Sequence, residues 1–226
     1  AELKGVVLTH HHPDHIGGID ALCDRYNLPL LASAICYKRV IEAKVFEKYH
    51  DFIELEEGSV IELGAAPDGS PNWKLVTYET PGHAPGHLAF RENRYQALIA
   101  GDLCSAVSTI MIDPPDGHLS TYIESLEKVA ALEIGTIYPA HGPAVRTGTS
   151  MLKYFIQHRK EREQQLVDAL DTEGQTADQL LPIVYADTDK KLYPLAARSL
   201  LAGLFKLEDE GRVWLNMQDK WVKLGN

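Results

Sequence analysis

The stretch Thr9-His10-His11-His12-Pro13-Asp14-His15-Ile16-Gly17-Gly18 constrains this 226-residue chain more than any other. Four imidazoles and one carboxylate fall within six consecutive positions, directly after the apolar run Val6-Val7-Leu8. Val6 to Leu8 reads as a buried strand and Ile16 to Tyr26 as a helix, so the cluster lies on a strand-to-helix turn. In extended chain His10 and His12 point one way and His11 the other, because side chains alternate with a period of two. Asp14 and His15 fall in the first helical turn and can face the same cavity from a second direction. Neutral imidazoles with a carboxylate suit zinc or a similar borderline metal better than calcium or magnesium. A histidine run is also what a tag or a disordered metal-scavenging tract looks like. An apolar strand on one side and Gly17-Gly18 on the other favour a folded metal site.

His10-x-His12-x-Asp14-His15 followed by Gly17-Gly18 resembles the signature of the metallo-β-lactamase superfamily of binuclear metallohydrolases. That resemblance predicts three further ligands, and all three occur in order. Thr80-Pro81-Gly82-His83 is similar to the family's second histidine motif. Gly101-Asp102 after the apolar Ala97-Leu98-Ile99 is similar to its bridging aspartate, and Tyr138-Pro139-Ala140-His141-Gly142 to its last histidine. Four motifs in the right order and context are far more specific than one. The family's ligand set then implies His10, His12 and His83 on one metal, Asp14, His15 and His141 on the other, and Asp102 between them. Two zinc ions are the default, and iron or manganese also accept these donors. The resemblance further implies a bridging hydroxide as nucleophile, with Asp14 orienting it or carrying its proton.

The same resemblance implies an αββα sandwich with strands ahead of the histidine cluster, whereas here the strand feeding the cluster begins almost at residue 1. The expectation is an α/β sandwich lacking its N-terminal strands, either a fragment or an unusual member, with an exposed sheet edge and reduced stability. Residues 1–150 would form this hydrolase domain. From residue 151 the pattern changes to helices containing Leu152, Phe155, Ile156 and Leu166, then Ala177 to Tyr185 and Tyr193 to Glu210, with a terminal hairpin around Trp214 and Trp221. Three helices and a hairpin make residues 151–226 a winged-helix module. This tail, with His158-Arg159 and Arg162-Glu163-Gln164-Gln165, resembles the winged-helix extension of the lactamase-β-like subfamily, whose members include endoribonucleases.

Charge narrows the partner. The net charge is −10. Residues 1–150 carry 11 Lys and Arg against 20 Asp and Glu, a net −9, and residues 151–226 carry 11 against 12. A nucleic-acid binder relies on cationic contacts with phosphates and usually shows a basic stripe. None is visible, although Lys153, Arg159, Lys160 and Arg162 cluster. A small-molecule substrate is therefore favoured, with RNA as the alternative partner. With so little net positive charge, the winged helix is expected to serve packing or a homo-oligomer interface rather than DNA. No apolar run approaches the ~20 residues of a membrane span. Three cysteines, Cys23, Cys36 and Cys104, without paired spacing point to buried thiols in a reducing, cytoplasmic setting.

Several local expectations bear on the site. Ala34 to Tyr49 reads as mainly helical. Trp73 to Thr80 is a strand delivering His83, with His87 in a supporting or structural role. Ile110, Met111 and Ile112, in the loop Ser105 to Pro115, are candidates for an apolar wall. His118 is expected to be a surface residue ahead of a helix capped by Ser120 or Thr121, and Cys104 a packed side chain. The leading function is hydrolysis of a small acyl compound, a thioester, ester or lactone, which the glyoxalase-II-like Thr80-Pro81-Gly82-His83 loop supports. Alternatives are a single-strand RNA phosphodiesterase, a β-lactamase, and a non-catalytic metal-binding fragment.

Overall fold

The computed structural model describes residues 3–45 and 51–224. Its first elements are β1 (Val6–Val7), α1 (Pro13–Ile16), α2 (Ile19–Tyr26), β2 (Leu30–Ala32), α3 (Ala34–Glu42) and β3 (Phe52–Glu54). The three strands form a parallel sheet in the order β1-β2-β3. Where one helix from Ile16 to Tyr26 was expected, the structure has two. Pro13 starts the first at a position where its missing N–H is no loss, and the Gly17-Gly18 pair interrupts it. The helical reading of Ala34 to Tyr49 holds only to Glu42, and positions 46–50 lie outside the described residues.

A five-stranded sheet follows, built from β4 (Val60–Gly64), β5 (Trp73–Glu79), β6 (Leu88–Glu92), β7 (Ala97–Gly101) and β8 (Thr136–Pro139) in that order. Its pairs are antiparallel except the last, where α4 (Leu119–Ala130) makes the crossover between parallel β7 and β8. Period-two alternation sorts its residues between two cores. Leu75, Leu88 and Phe90 pack toward Val7 and Leu31 of the first sheet. Ala89, Leu98, Ala100 and Ile137 pack instead against Tyr122, Leu126 and Val129 of α4. On the outer side of the first sheet, Ile19 of α2 and Cys36 and Val40 of α3 cover Leu30 and Ala32. The layers therefore run helix, sheet, sheet, helix, the αββα sandwich expected. Ile99 pairs with Phe90 and with Tyr138, so all three share the inner face. Ile99 is 41% and Tyr138 52% exposed, which leaves this end of the inner face uncovered.

The C-terminal part consists of α5 (Gly148–Ala169), α6 (Ala177–Val184), a 3₁₀ turn at Lys190–Leu192, α7 (Tyr193–Asp209) and the antiparallel pair β9 (Val213–Leu215) and β10 (Trp221–Lys223). This is the winged-helix arrangement. Thr176 and Gln179 close a reciprocal capping box at the start of α6. One helix joins the two parts: Leu152 and Phe155 of α5 belong to the core beneath the five-stranded sheet, and Leu166 belongs to the core of the C-terminal helices.

Candidate metal centre

Strand β1 and Leu8 deliver the chain to the site in extended form, and the Thr9 carbonyl accepts a 2.8 Å bond from the Leu88 N–H of the other sheet. His12 keeps extended dihedrals as the N-cap of α1 and makes no cap bond with its side chain, which leaves the ring free. Asp14 and His15 then lie in the first turn of the helix. His83 follows β5, Asp102 follows β7 and His141 follows β8. Every contributing segment thus leaves the same end of the sandwich.

Four overlapping donor groups occur among the described residues, among them two that share no member. His10, His12 and His83 offer ring nitrogens that all lie within 4.8 Å of one another, and the carboxylate of Asp14 lies as close to the ring nitrogens of His15 and His141. In the first group, Nδ1 of His12 is 3.1 Å from Nε2 of His10 and 2.9 Å from Nε2 of His83. Asp102 stands between the groups. One of its oxygens is 3.3 Å from His83 Nε2, and the other is 3.4 Å from His141 Nε2 and 3.6 Å from His15 Nε2. Asp14 closes the second group, its Oδ2 lying 3.5 Å from both His15 and His141. All seven residues expected from the sequence converge here.

The donor chemistry fits cations. His83 Nδ1–H donates to the Met111 carbonyl at 3.0 Å, so its Nε2 turns a lone pair toward His12 and Asp102. His15 Nε2 and one Asp102 oxygen are buried without a hydrogen-bond partner. Orphaned acceptors are rare in buried positions, and a bound cation satisfies them. Burial, with the crowding of His87, His15, His83 and His12, holds the His10 ring far below its usual range. Burial likewise lowers His12 and His83. Neutral imidazole is the form that ligates metal. Burial opposes ionisation of Asp102, but the facing rings of His15, His83 and His141 outweigh it and hold the carboxyl below its ordinary value. For His15 burial is again opposed, here by Asp102 and Asp14, which raise its affinity for a proton.

His87 is absent from both donor groups. It is fully buried, and its Nε2 accepts a 3.0 Å bond from the backbone N–H of Asp102. Its Nδ1–H therefore donates to Thr80 Oγ1 at 2.7 Å. Burial first, then the charge of His83, pushes its pKa down to about 3, which keeps the neutral tautomer in place. Gly101 makes this approach feasible: with φ +51° it is left-handed, and a Cβ there would sit 2.7 Å from His87 Nε2.

A cleft of about 690 Å³ opens above the donors. Its walls include Val107, Ile110 and Met111, and from α7 Leu195 and Arg198. Of the three apolar residues expected to form the wall, Ile112 is the exception. It is fully buried in the core under the sheet; Ile110 belongs to the same core and only edges the cleft, while Met111 between them is half-buried and lines it. His118 is exposed as expected, but it, rather than Ser120 or Thr121, caps α4, accepting from the Thr121 N–H, and it lies 3.2 Å from Asp209 of α7. Two site residues escaped sequence reading. His11 and His12 form another donor group with Asp116, which also bonds Arg39. Arg198 forks onto Asp113 at 2.6 and 3.0 Å and ties α7 to the cleft loop. The three cysteines are free and buried, with Cys104 pushed up to about 12 by burial.

Comparison with known proteins agrees with this arrangement. Residues 1–141 match the family model of the metallo-beta-lactamase superfamily, and residues 176–221 match the beta-lactamase associated winged helix domain. A beta-lactamase-like protein 2 homolog of Drosophila melanogaster is 27% identical over 94% of this chain and 71% of its own length. A beta-lactamase domain protein from Burkholderia ambifaria superposes with a TM-score of 0.81 at 22% identity, covering 98% of this chain and 74% of that one. TTHA1623, solved in a di-iron-bound form, superposes with a TM-score of 0.51 at 24% identity over 65% of this chain and 73% of its own. The histidine and aspartate cluster, the layered fold around it and the matched segments together lead to one statement: this chain belongs to the metallo-beta-lactamase superfamily and is a metal-dependent hydrolase carrying a C-terminal winged helix.

Proposed function

We propose that the chain is a binuclear hydrolase of a small acyl substrate, a thioester, ester or lactone. The carrying observation is Asp102, whose two oxygens face the two donor groups at the floor of an apolar-walled cleft. His10, His12 and His83 would hold one ion and Asp14, His15 and His141 the other, with Asp102 shared. Zinc suits this set of imidazoles and carboxylates, and iron or manganese are the alternatives. When bound, two such ions supply Lewis acidity, which polarises the substrate carbonyl and makes water acidic enough to yield hydroxide near neutral pH.

The chain's own residues do the rest. Asp14 is the most exposed member of its group and lies at the cleft mouth, where its carboxylate can take up the proton that water releases. The Met111 carbonyl and the His87 ring hold His83 and Asp102 in position. Val107, Ile110, Met111 and Leu195 offer an acyl chain an apolar wall and thin the water around the reacting carbon.

The division proposed is a hydrolase unit over residues 1–150 and a winged helix over 151–226. The latter's role is to complete the cleft wall with Leu195 and Arg198, and it is the surface through which a second copy would pair, which sedimentation tests. Three buried free thiols support a reducing, cytoplasmic setting. Among the described residues no helix is long and apolar enough to cross a membrane.

The test pairs zinc-loaded protein with a panel of acyl thioesters and, separately, a fluorogenic single-stranded RNA at moderate salt. Thioester turnover, abolished together with metal content in Asp102→Ala, is the expected outcome. RNA cleavage without thioester turnover overturns the substrate class, and an active metal-free Asp102→Ala protein overturns the reading altogether.

A further inference from the structure

Beside the metal cleft lies a second cavity of about 230 Å³, bounded by α5, α7 and the segment after α6. The two cavities adjoin, since Ser108, Thr109, Met111 and Leu195 line both. Its floor carries His158, Arg159 and Arg162, and its rim adds the hydroxyls of Thr188 and Ser199.

Arg159 is the unusual member. It is only 5% exposed, yet among the described residues no carboxylate lies within ion-pair distance of it. The neighbouring cations are all neutralised: Arg162 by Asp187, Arg198 by Asp113, and Arg212 and Lys206 by Glu163 and Glu210. Arg159 instead donates one N–H to the Ile110 carbonyl and lies 5.3 Å from the centre of the Tyr122 ring. Its Nε is buried without any acceptor, and so is Nδ1 of His158 beside it. A buried guanidinium without a counter-charge is costly, and a buried N–H without an acceptor adds to that. An oxyanion in the cavity would relieve both.

We propose that this cavity is a phosphate subsite, and that the acyl substrate carries a phosphate group on its leaving-group side which docks there while the acyl carbon lies over the metal centre. This rests on the hydrolase reading above and narrows its substrate class to phosphorylated acyl thioesters or esters. Arg159 supplies the charge, His158 and the Thr188 and Ser199 hydroxyls supply donors, and Leu195 and Met111 form the apolar passage between the cavities. Burial, then the charges of Arg159 and Arg162, hold the His158 ring below its usual range, so it offers a single neutral N–H. The pocket thus selects by one charge and several short donors, a set suited to a phosphate dianion.

Two measurements on the zinc-loaded protein test this. In the first, inorganic phosphate is titrated while the melting temperature is followed, in the wild type and in Asp102→Asn, which weakens the metal centre. Phosphate is expected to raise the melting temperature of both, and the rise to vanish in Arg159→Gln and shrink in His158→Phe. In the second, kcat/KM is compared for an acyl thioester of a phosphorylated thiol and of the same thiol without phosphate. A preference of roughly 10- to 100-fold is expected, the range of one or two charge-assisted hydrogen bonds, falling toward unity in His158→Phe. If Arg159→Gln does not fold, His158→Phe and the wild-type preference decide. Phosphate stabilisation that disappears in Asp102→Asn places the anion on the metals and overturns the subsite. Equal turnover of the two thioesters overturns it as a substrate site, even where free phosphate binds. Phosphate binding that survives in Asp102→Asn, with no thioester hydrolysed, keeps the anion site and removes the acyl reading instead. Cleavage of RNA alone, weakened in His158→Phe, reassigns the phosphate to a polynucleotide and overturns the substrate proposed here.

Discussion

Asp102 is held by its backbone as much as by its neighbours' charges. The bond from its N–H to His87, and from His87 to Thr80, fixes where the carboxylate points. His87→Ala is expected to lower metal affinity by about 10- to 100-fold, as removal of a ligand's support usually does. It should also destabilise the fold by roughly 2–4 kcal/mol, since it leaves a cavity and a buried N–H without an acceptor. Chelator competition and denaturant unfolding measure the two effects. The same burial sets a pH dependence. His87 has a folded-state pKa near 3 against an ordinary 6.5, and His10 is shifted the same way. The unfolded chain therefore binds more protons below pH 6.5. The stability these neutral rings contribute is complete above that value and is lost as pH falls from about 6.5 toward 3. Denaturant midpoints of metal-stripped protein across that range should fall, and a flat profile would count against the buried neutral rings. The convergence of the seven residues was legible in the sequence, because four sit in one strand-to-helix turn and three on short local motifs after apolar strands. The supporting role of His87 was legible too, but the pairing of His118 with Asp209 and the contacts of Arg159 were not, because those partners lie far along the chain.

Short elements here are fixed by close backbone contacts. Gly82, in the loop that presents His83, has φ +124°, and a Cβ there would lie 2.3 Å from the Tyr122 N in α4. Backbone cannot yield as a side-chain tip can. Gly82→Ala should therefore lose roughly 3 kcal/mol or more and displace His83, visible as reduced folded yield and reduced metal content. Arg198 gives the opposite expectation. Its pair with Asp113 is half-exposed, so Arg198→Ala should change stability by less than about 1 kcal/mol. KM for acyl substrates should nevertheless rise, because α7 and the cleft loop lose their tie. Apolar periodicity announced β5, β7, α4 and α7, whereas the break at Gly17-Gly18 and the His118 cap needed the turn chemistry and the position of α7. Period-two alternation could have separated Met111 from Ile110 and Ile112, had that loop been read as extended.

For the whole molecule, metal and fold are linked. Ions that bind only the folded chain stabilise it by mass action, about 4 kcal/mol at a thousandfold excess over Kd. Chelation should lower the melting temperature, and restored zinc, iron or manganese should return it in the order of their affinities. The layered architecture was legible from the order of motifs, and the hairpin and helices of the tail from their apolar spacing. How the tail meets the cleft was not, since that depends on Leu195, Arg198 and Arg159 meeting the segment around Ile110 and Asp113. The 22-residue α5 carries a further implication. Its first turns are clamped in one hydrophobic interior and its last turns in another. Such a shared beam cannot soften at one end without loosening the other, so heating should melt catalytic half and tail together in a single step, and a protease would have no safe hinge at which to part them.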